Sequence, residues 1–182
     1  MEKEQPLVGY QEQVRWMGRD VITLAEIWPR NIRAMIVGIN PSETSVRAGH
    51  YFQGQGARRQ MMKLVEKDLM ALSGDKRYFE QAALEAGIGL ADVVRRPTPS
   101  ARSVPSSELN YGRTILEAKL ALREVPLIIG LYAAPIRLLT RNASRPGFQN
   151  ELTSWGARMF RMPGPFHEAA DAAAVMDTLL TY

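Results

Sequence analysis

Arg33-Ala-Met-Ile-Val-Gly-Ile-Asn-Pro-Ser42 is the stretch on which the fold turns. Ala34 to Ile39 is short and almost wholly apolar, the pattern of a strand buried on both faces at the centre of a parallel sheet. Pro41 cannot donate to a ladder, and it biases Asn40 toward an extended backbone, so the chain turns there. A neutral amide side chain therefore stands at the carboxyl end of a core strand, where open α/β sheets seat their ligands. Taken alone, the motif is also satisfied by a plain turn in which Asn40 bonds its own backbone.

Outward from that strand, apolar runs alternate with helical patterns. Downstream lies a long segment, Asn40 to Gly56, of a length that in a compact domain usually signals function. Met61, Leu64, Val65, Leu69 and Leu72 then repeat at helical spacing, and a second helical stretch runs from Arg77 to Glu85. Ile88 to Val94 reads as a strand with an extended exit, Arg95-Arg-Pro-Thr-Pro-Ser100. A helix from about Ser106 to Arg123, a buried strand Leu127–Leu131 and a helix over Ala133–Thr140 follow. After a polar loop through Gly147, Ala157 to Met162 is the last strand, and Val175, Met176, Leu179 and Leu180 mark a final helix. Upstream, residues 1–20 form a polar lead-in within a longer polar start. Short helices are expected around Tyr10–Met17 and Ile22–Trp28, the second capped by Asp20 and stopped by Pro29. The expected architecture is α/β: residues 1–182 as a single domain, three-layer α/β/α, around a short, mostly parallel central sheet. The loops after Ile39, Val94, Leu131 and Met162 then share one end of the sheet.

The totals narrow the chemistry. A chain of 182 residues suits one domain with a sizeable core. With no cysteine there is no disulfide, thiolate-bound zinc or iron–sulfur cluster, and two histidines make a poor metal site. No metal or cofactor is expected. No apolar run reaches the ~20 residues of a membrane span, and Met1-Glu-Lys-Glu-Gln-Pro6 lacks a signal-peptide pattern, so a cytoplasmic protein is expected, and it is expected to be a monomer. Charge is unevenly spread: from Arg95 to Arg161 there are eleven Lys or Arg against four Asp or Glu, and no Lys or Arg follows. A basic middle suits a polyanion through phosphate contacts, and equally a solvated surface.

Four segments in order resemble the mismatch-specific uracil/thymine DNA glycosylase family, within the uracil-DNA glycosylase superfamily. Gly38-Ile-Asn-Pro-Ser42 is similar to that family's first motif, Gly-Ile-Asn-Pro-Gly. Ala48-Gly-His-Tyr-Phe-Gln-Gly-Gln-Gly56 resembles its base-pocket loop. Gly87-Ile-Gly-Leu-Ala-Asp-Val-Val-Arg-Arg-Pro-Thr98 resembles its middle block, and Met162-Pro163 opens the place of its second motif. Two runs depart from the pattern. Ala57-Arg-Arg-Gln60 stands where relatives carry Asn followed by an aromatic pair, and Pro163-Gly-Pro-Phe-His-Glu168 where they usually read Pro-Asn-Pro-Ser-Gly.

The resemblance implies a uracil-DNA glycosylase-like fold and a monofunctional enzyme that hydrolyses the N-glycosidic bond of uracil, or of other deaminated or mismatched bases, in DNA. Such an enzyme flips its nucleotide out of the stack at a cost of a few kcal/mol. Asn40 matches the residue that holds the attacking water, and Phe52 the aromatic that stacks on the base. Ile39, His50 and Tyr51 fall in the same base-binding segments. Asp92 lies where relatives often carry a group that reads the base; a carboxylate there could instead activate water, or pair with Arg95 or Arg96 on the surface. Arg95, Arg96 and Arg102 are candidate phosphate contacts. Gly164 is a candidate DNA contact, Phe166 a candidate for the duplex wedge, and His167 for donation to the departing base. The alternative is a non-catalytic binder of DNA or damaged bases on the same fold. A small-molecule nucleotide enzyme fits less well, because no P-loop or dinucleotide fingerprint is present.

Overall fold

The computed structural model describes residues 6–140, 145–164 and 167–181. Its first element corrects the expected pair of N-terminal helices. β1 (Gln11–Trp16) and β2 (Arg19–Leu24) form an antiparallel hairpin in which Trp16 faces Arg19. The two turn residues, Met17 at φ 47° and Gly18 at φ 80°, are both left-handed, as the favoured two-residue hairpin turn requires. Alternation decides the outcome: Val14, Trp16 and Val21 pack inward against one core cluster while Arg15 and Asp20 pair in solvent.

The central sheet follows the expected plan. β3 (Ala34–Gly38), β4 (Ile88–Asp92), β5 (Leu127–Gly130) and β7 (Arg158–Arg161) run parallel, in the spatial order β4-β3-β5-β7. A two-residue strand that the sequence pattern did not suggest, β6 (Gly147–Phe148), pairs antiparallel on the β7 edge. The other edge is covered in part by Ile27, which exchanges backbone hydrogen bonds with Leu90.

Two apolar clusters flank the sheet and define the three layers. Ala34, Ile36, Leu90, Ile129 and Phe160 point toward α1 (Glu43–Ala48), α2 (Gln55–Glu66), α3 (Glu80–Glu85) and α6 (Ala169–Leu180). Met35, Val37, Ile128 and Met159 point the other way, toward α4 (Ser106–Leu122), α5 (Ala133–Thr140) and Trp16 of the hairpin. Successive residues of β3 thus serve opposite faces, which is why Ala34–Val37 is apolar throughout. Among the described residues no helix is long and apolar enough to cross a membrane.

Three boundaries differ from the sequence reading. The segment 40–56 encloses α1, capped by the Ser42 side chain, which accepts from the Ser45 amide at 3.1 Å. α2 stops at Glu66, with Leu69 and Leu72 packing on the core from the loop beyond it. α3 begins only at Glu80.

The hairpin turn makes the first prediction. Met17→Asn, which tolerates the left-handed turn better than an unbranched apolar chain, should stabilise the protein by up to ~1 kcal/mol. Urea midpoints with an unchanged slope are the check; a lower midpoint would contradict the turn.

Candidate active site

The carboxyl ends of β3, β4 and β5 open into a cavity of about 300 Å³ whose walls include Ile39, Asn40, Phe52, Asp92, Thr98 and Tyr132. Its position follows from the parallel strands, and its volume lies at the lower end for small-ligand sites.

Asn40 is held in one orientation. Its side-chain nitrogen donates to Pro41 O at 3.0 Å and to Thr98 Oγ1 at 2.7 Å. Thr98 gives its single hydroxyl proton to Ser100 O at 2.9 Å, so Oγ1 meets Asn40 as an acceptor. The amide atom facing Thr98 must therefore be nitrogen. Oδ1 is left without a protein partner among the described residues, on a side chain that lines the cavity. Thr98, between two prolines, carried no sequence signal beyond its place in the middle block.

Asp92 is the last residue of β4, in register with Gly38 of β3. A Cβ added to Gly38 would lie 2.1 Å from Asp92 Oδ1, so only glycine lets the carboxyl group rest over the neighbouring strand. Asp92 is 8% exposed, and no hydrogen bond to its carboxyl group is present among the described residues. The surface ion pair considered for it does not form. Burial pushes its pKa up to about 7; the Arg95 charge opposes this and the Glu26 charge adds to it.

The aromatic loop is built on strain and on one carboxylate. Phe52 sits at φ 58°, a left-handed backbone that costs a bulky residue ~1–2 kcal/mol, and its ring lines the cavity. Glu80, 1% exposed, accepts from the Tyr51 amide at 2.6 Å and lies 3.4 Å from His50 Nδ1. Ser45 Oγ receives the Gln53 amide at 3.2 Å and ties the loop to α1. Tyr51 lines the cavity while its hydroxyl donates to Ala25 O at 3.2 Å; burial raises its pKa well above the usual phenol range.

Other expected site residues are placed differently. His50 is outside the cavity wall: its ring stacks on Tyr78 at 3.5 Å, so it supports the loop from behind. Arg95 does not face solvent. It is 6% exposed, donates to Leu24 O at 2.6 Å, pairs with Glu12, and has Nη1 3.2 Å from Glu26 Oε1. Those partners remove it from the phosphate candidates. Arg96 is half-committed, bound through two nitrogens to Glu108 at 3.1 and 2.6 Å. Arg102 is exposed, in a short 3₁₀ turn beside Ser100 and Ala101 at the cavity mouth. Gly164 is half-buried, and His167 is exposed and outside the described cavity wall, its amide donating to Gly164 O at 3.3 Å. Phe166 lies outside the described residues. Glu80, Thr98 and Tyr132 are the wall and support residues that sequence reasoning passed over.

The buried carboxyl group has a cost that pH reveals. Its folded-state pKa is raised above the unfolded value, so the fold is favoured while Asp92 is protonated and loses that advantage as pH rises from about 4 to about 7. Asp92→Asn should therefore raise the melting temperature at pH 8 relative to wild type by more than it does at pH 4. An equal change at both values would mean that the group is not desolvated.

The sequence model of the family described as Uracil DNA glycosylase superfamily matches residues 26–169, most of the chain, from the turn before β3 to the start of α6. No curated protein matches the chain.

Proposed function

The chain belongs to the uracil DNA glycosylase superfamily, and on that footing we propose that it is a monofunctional DNA glycosylase that hydrolyses the N-glycosidic bond of uracil in base excision repair. The observation that carries this reading is the pair of unpartnered polar groups in one cavity: Asn40 Oδ1, fixed by Thr98, and the buried Asp92 carboxyl group. A uracil nucleotide flipped out of the duplex would place its base against Phe52 and Tyr51 and its C1′ toward Asn40.

The chemistry follows from those groups. As the bond from C1′ to the base nitrogen breaks, positive charge develops on the sugar and negative charge on the leaving base. Asn40 Oδ1 accepts a hydrogen bond from a water and aims its lone pair at C1′. The Asp92 carboxylate takes the water's proton, a task suited to a group that titrates near neutrality. The products are an abasic sugar and the free base. Among the described residues of the cavity wall there is no lysine, so no amine is placed to form a Schiff base.

The decisive assay incubates labelled oligonucleotides containing uracil, a thymine mismatch, hypoxanthine or xanthine with the protein and EDTA, then cleaves abasic sites with alkali. Alkali-labile breaks on uracil are expected. Binding without breaks would identify a non-catalytic reader of damaged bases. Asn40→Ala should slow base release by about a hundredfold or more, with DNA affinity largely retained; a wild-type rate would remove Asn40 from the mechanism. Arg102→Gln should weaken DNA binding and reduce the slope of log affinity against log salt by about 0.9, the contribution of one phosphate contact. An unchanged slope would put the phosphate track elsewhere.

A further inference from the structure

Asp92 lines a second cavity as well. This one, about 400 Å³, lies behind the first, between β1, the segment 25–28, the end of β4 and α4. Its walls carry Glu12, Glu26, Arg95 and Lys119, none of which lines the base cavity. Gly112 lets α4 come this close to the strand ends: a Cβ there would lie 2.1 Å from Val93 O.

The charges in this rear cavity are tightly arranged. Arg95 spans Glu12 of β1, the Leu24 carbonyl and Glu26. Glu26 also accepts from Lys119 Nζ at 2.7 and 2.9 Å and from Trp28 Nε1 at 3.0 Å. Burial pulls the Glu26 pKa up, but the hydrogen bonds from Lys119 and Trp28 and the charges of Lys119 and Arg95 outweigh it, so Glu26 stays ionised below its ordinary range. The cluster therefore holds fixed charges of both signs beside a carboxyl group that has no hydrogen bond of its own. A base seated in the front cavity displaces water there, which leaves the rear cavity as the side from which charge reaches Asp92.

We propose that Arg95 and Glu26 are a positioning pair that sets the charge on Asp92 from the rear cavity, and with it the pH range over which the base is released. The proposal rests on the glycosylase reading for its second half only. Arg95 favours the carboxylate; Glu26 opposes it and anchors Arg95. The other groups facing this region are Glu12 and Arg15 from β1, Tyr111 and Lys119 from α4 and Tyr51 from the aromatic loop. Glu12 is ion-paired with Arg95 and Lys119 with Glu26, Arg15 is paired with Asp20, and the Tyr51 phenol stays neutral.

The two substitutions pull in opposite directions, which a structural defect would not do. Glu26→Gln, which keeps an acceptor for Trp28 and Lys119, should move the acidic limb of the single-turnover pH profile down by up to ~1 unit. Arg95→Met should move it up by a similar amount, and Asp92→Asn should abolish the limb in either background. The Asp92 carboxyl ¹³C shift, followed by NMR through pH 4–9, reads the same midpoints without any activity. Opposite displacements of that midpoint support the pair. An unmoved Asp92 midpoint in folded Glu26→Gln overturns it, and that variant decides the matter even if Arg95→Met fails to fold. Base release missing from the wild type would count against the glycosylase reading, while the NMR midpoints would still decide this one.

Discussion

The parallel pairing of β3 with β4 is the constraint on which the site depends. Because Gly38 faces Asp92 across the ladder, the carboxyl group has only the width of a hydrogen in which to lie against the next strand. The pairing continues past the named strands: Val93 and Val94 donate to Gly38 O and Ile39 O at 3.0 and 2.7 Å. That zipper carries the two segments together as far as Pro41 and Thr98, where it hands over to the side-chain bond between Asn40 and Thr98. A shift of one residue would turn Asp92 to the other face and separate Asn40 from its anchor. Main-chain hydrogen bonds thus position both polar groups, and the loops have only to close the cavity around them.

This explains why so much of the architecture was legible in the sequence. β3, α4, α5 and α6 each bury a stripe or a run whose period is visible locally, and Asn40, Phe52 and Asp92 fall at strand ends or in a loop that the pattern already marks. What was not legible depends on partners far away in the chain. Arg95 stands in a basic stretch and reads as a phosphate contact, yet Glu12 and Glu26 arrive from the hairpin side and bury it. His50 sits next to the base-pocket aromatics in sequence, but Tyr78 and Glu80 draw its ring to the back of the loop. The hairpin was hidden for a different reason. Its strands are polar on one face and its turn begins with Met17, where a left-handed residue is least expected.

Charge counting fails in the same way. The excess of arginine between Arg95 and Arg161 suggests a basic face, but several of these side chains are already engaged by partners within the fold, even where they stay exposed. Arg96 holds Glu108, which also accepts from Trp16 Nε1 at 2.8 Å and so joins the hairpin to α4. Arg123 lies over the Trp28 ring at 4.4 Å and Arg158 over Phe148 at 3.9 Å. Such stacked guanidinium groups stabilise packing and keep their charge, but their geometry is set by the ring and not by a ligand.

The runs that depart from the motifs this sequence resembles take on a structural meaning in this light. Gln60, in the run that replaces the usual aromatic pair, is fully buried and donates to Leu131 O at 2.7 Å and Pro163 O at 3.0 Å. Lys63, one turn further along α2, donates to the same Pro163 carbonyl at 3.1 Å. The carboxyl ends of β5 and β7 are thereby tied to one helix, and that helix begins at the wall of the cavity at the strand ends. The segment entering the second motif is anchored through its backbone, independently of which side chains follow. A changed spelling after Pro163 therefore leaves this backbone anchor in place.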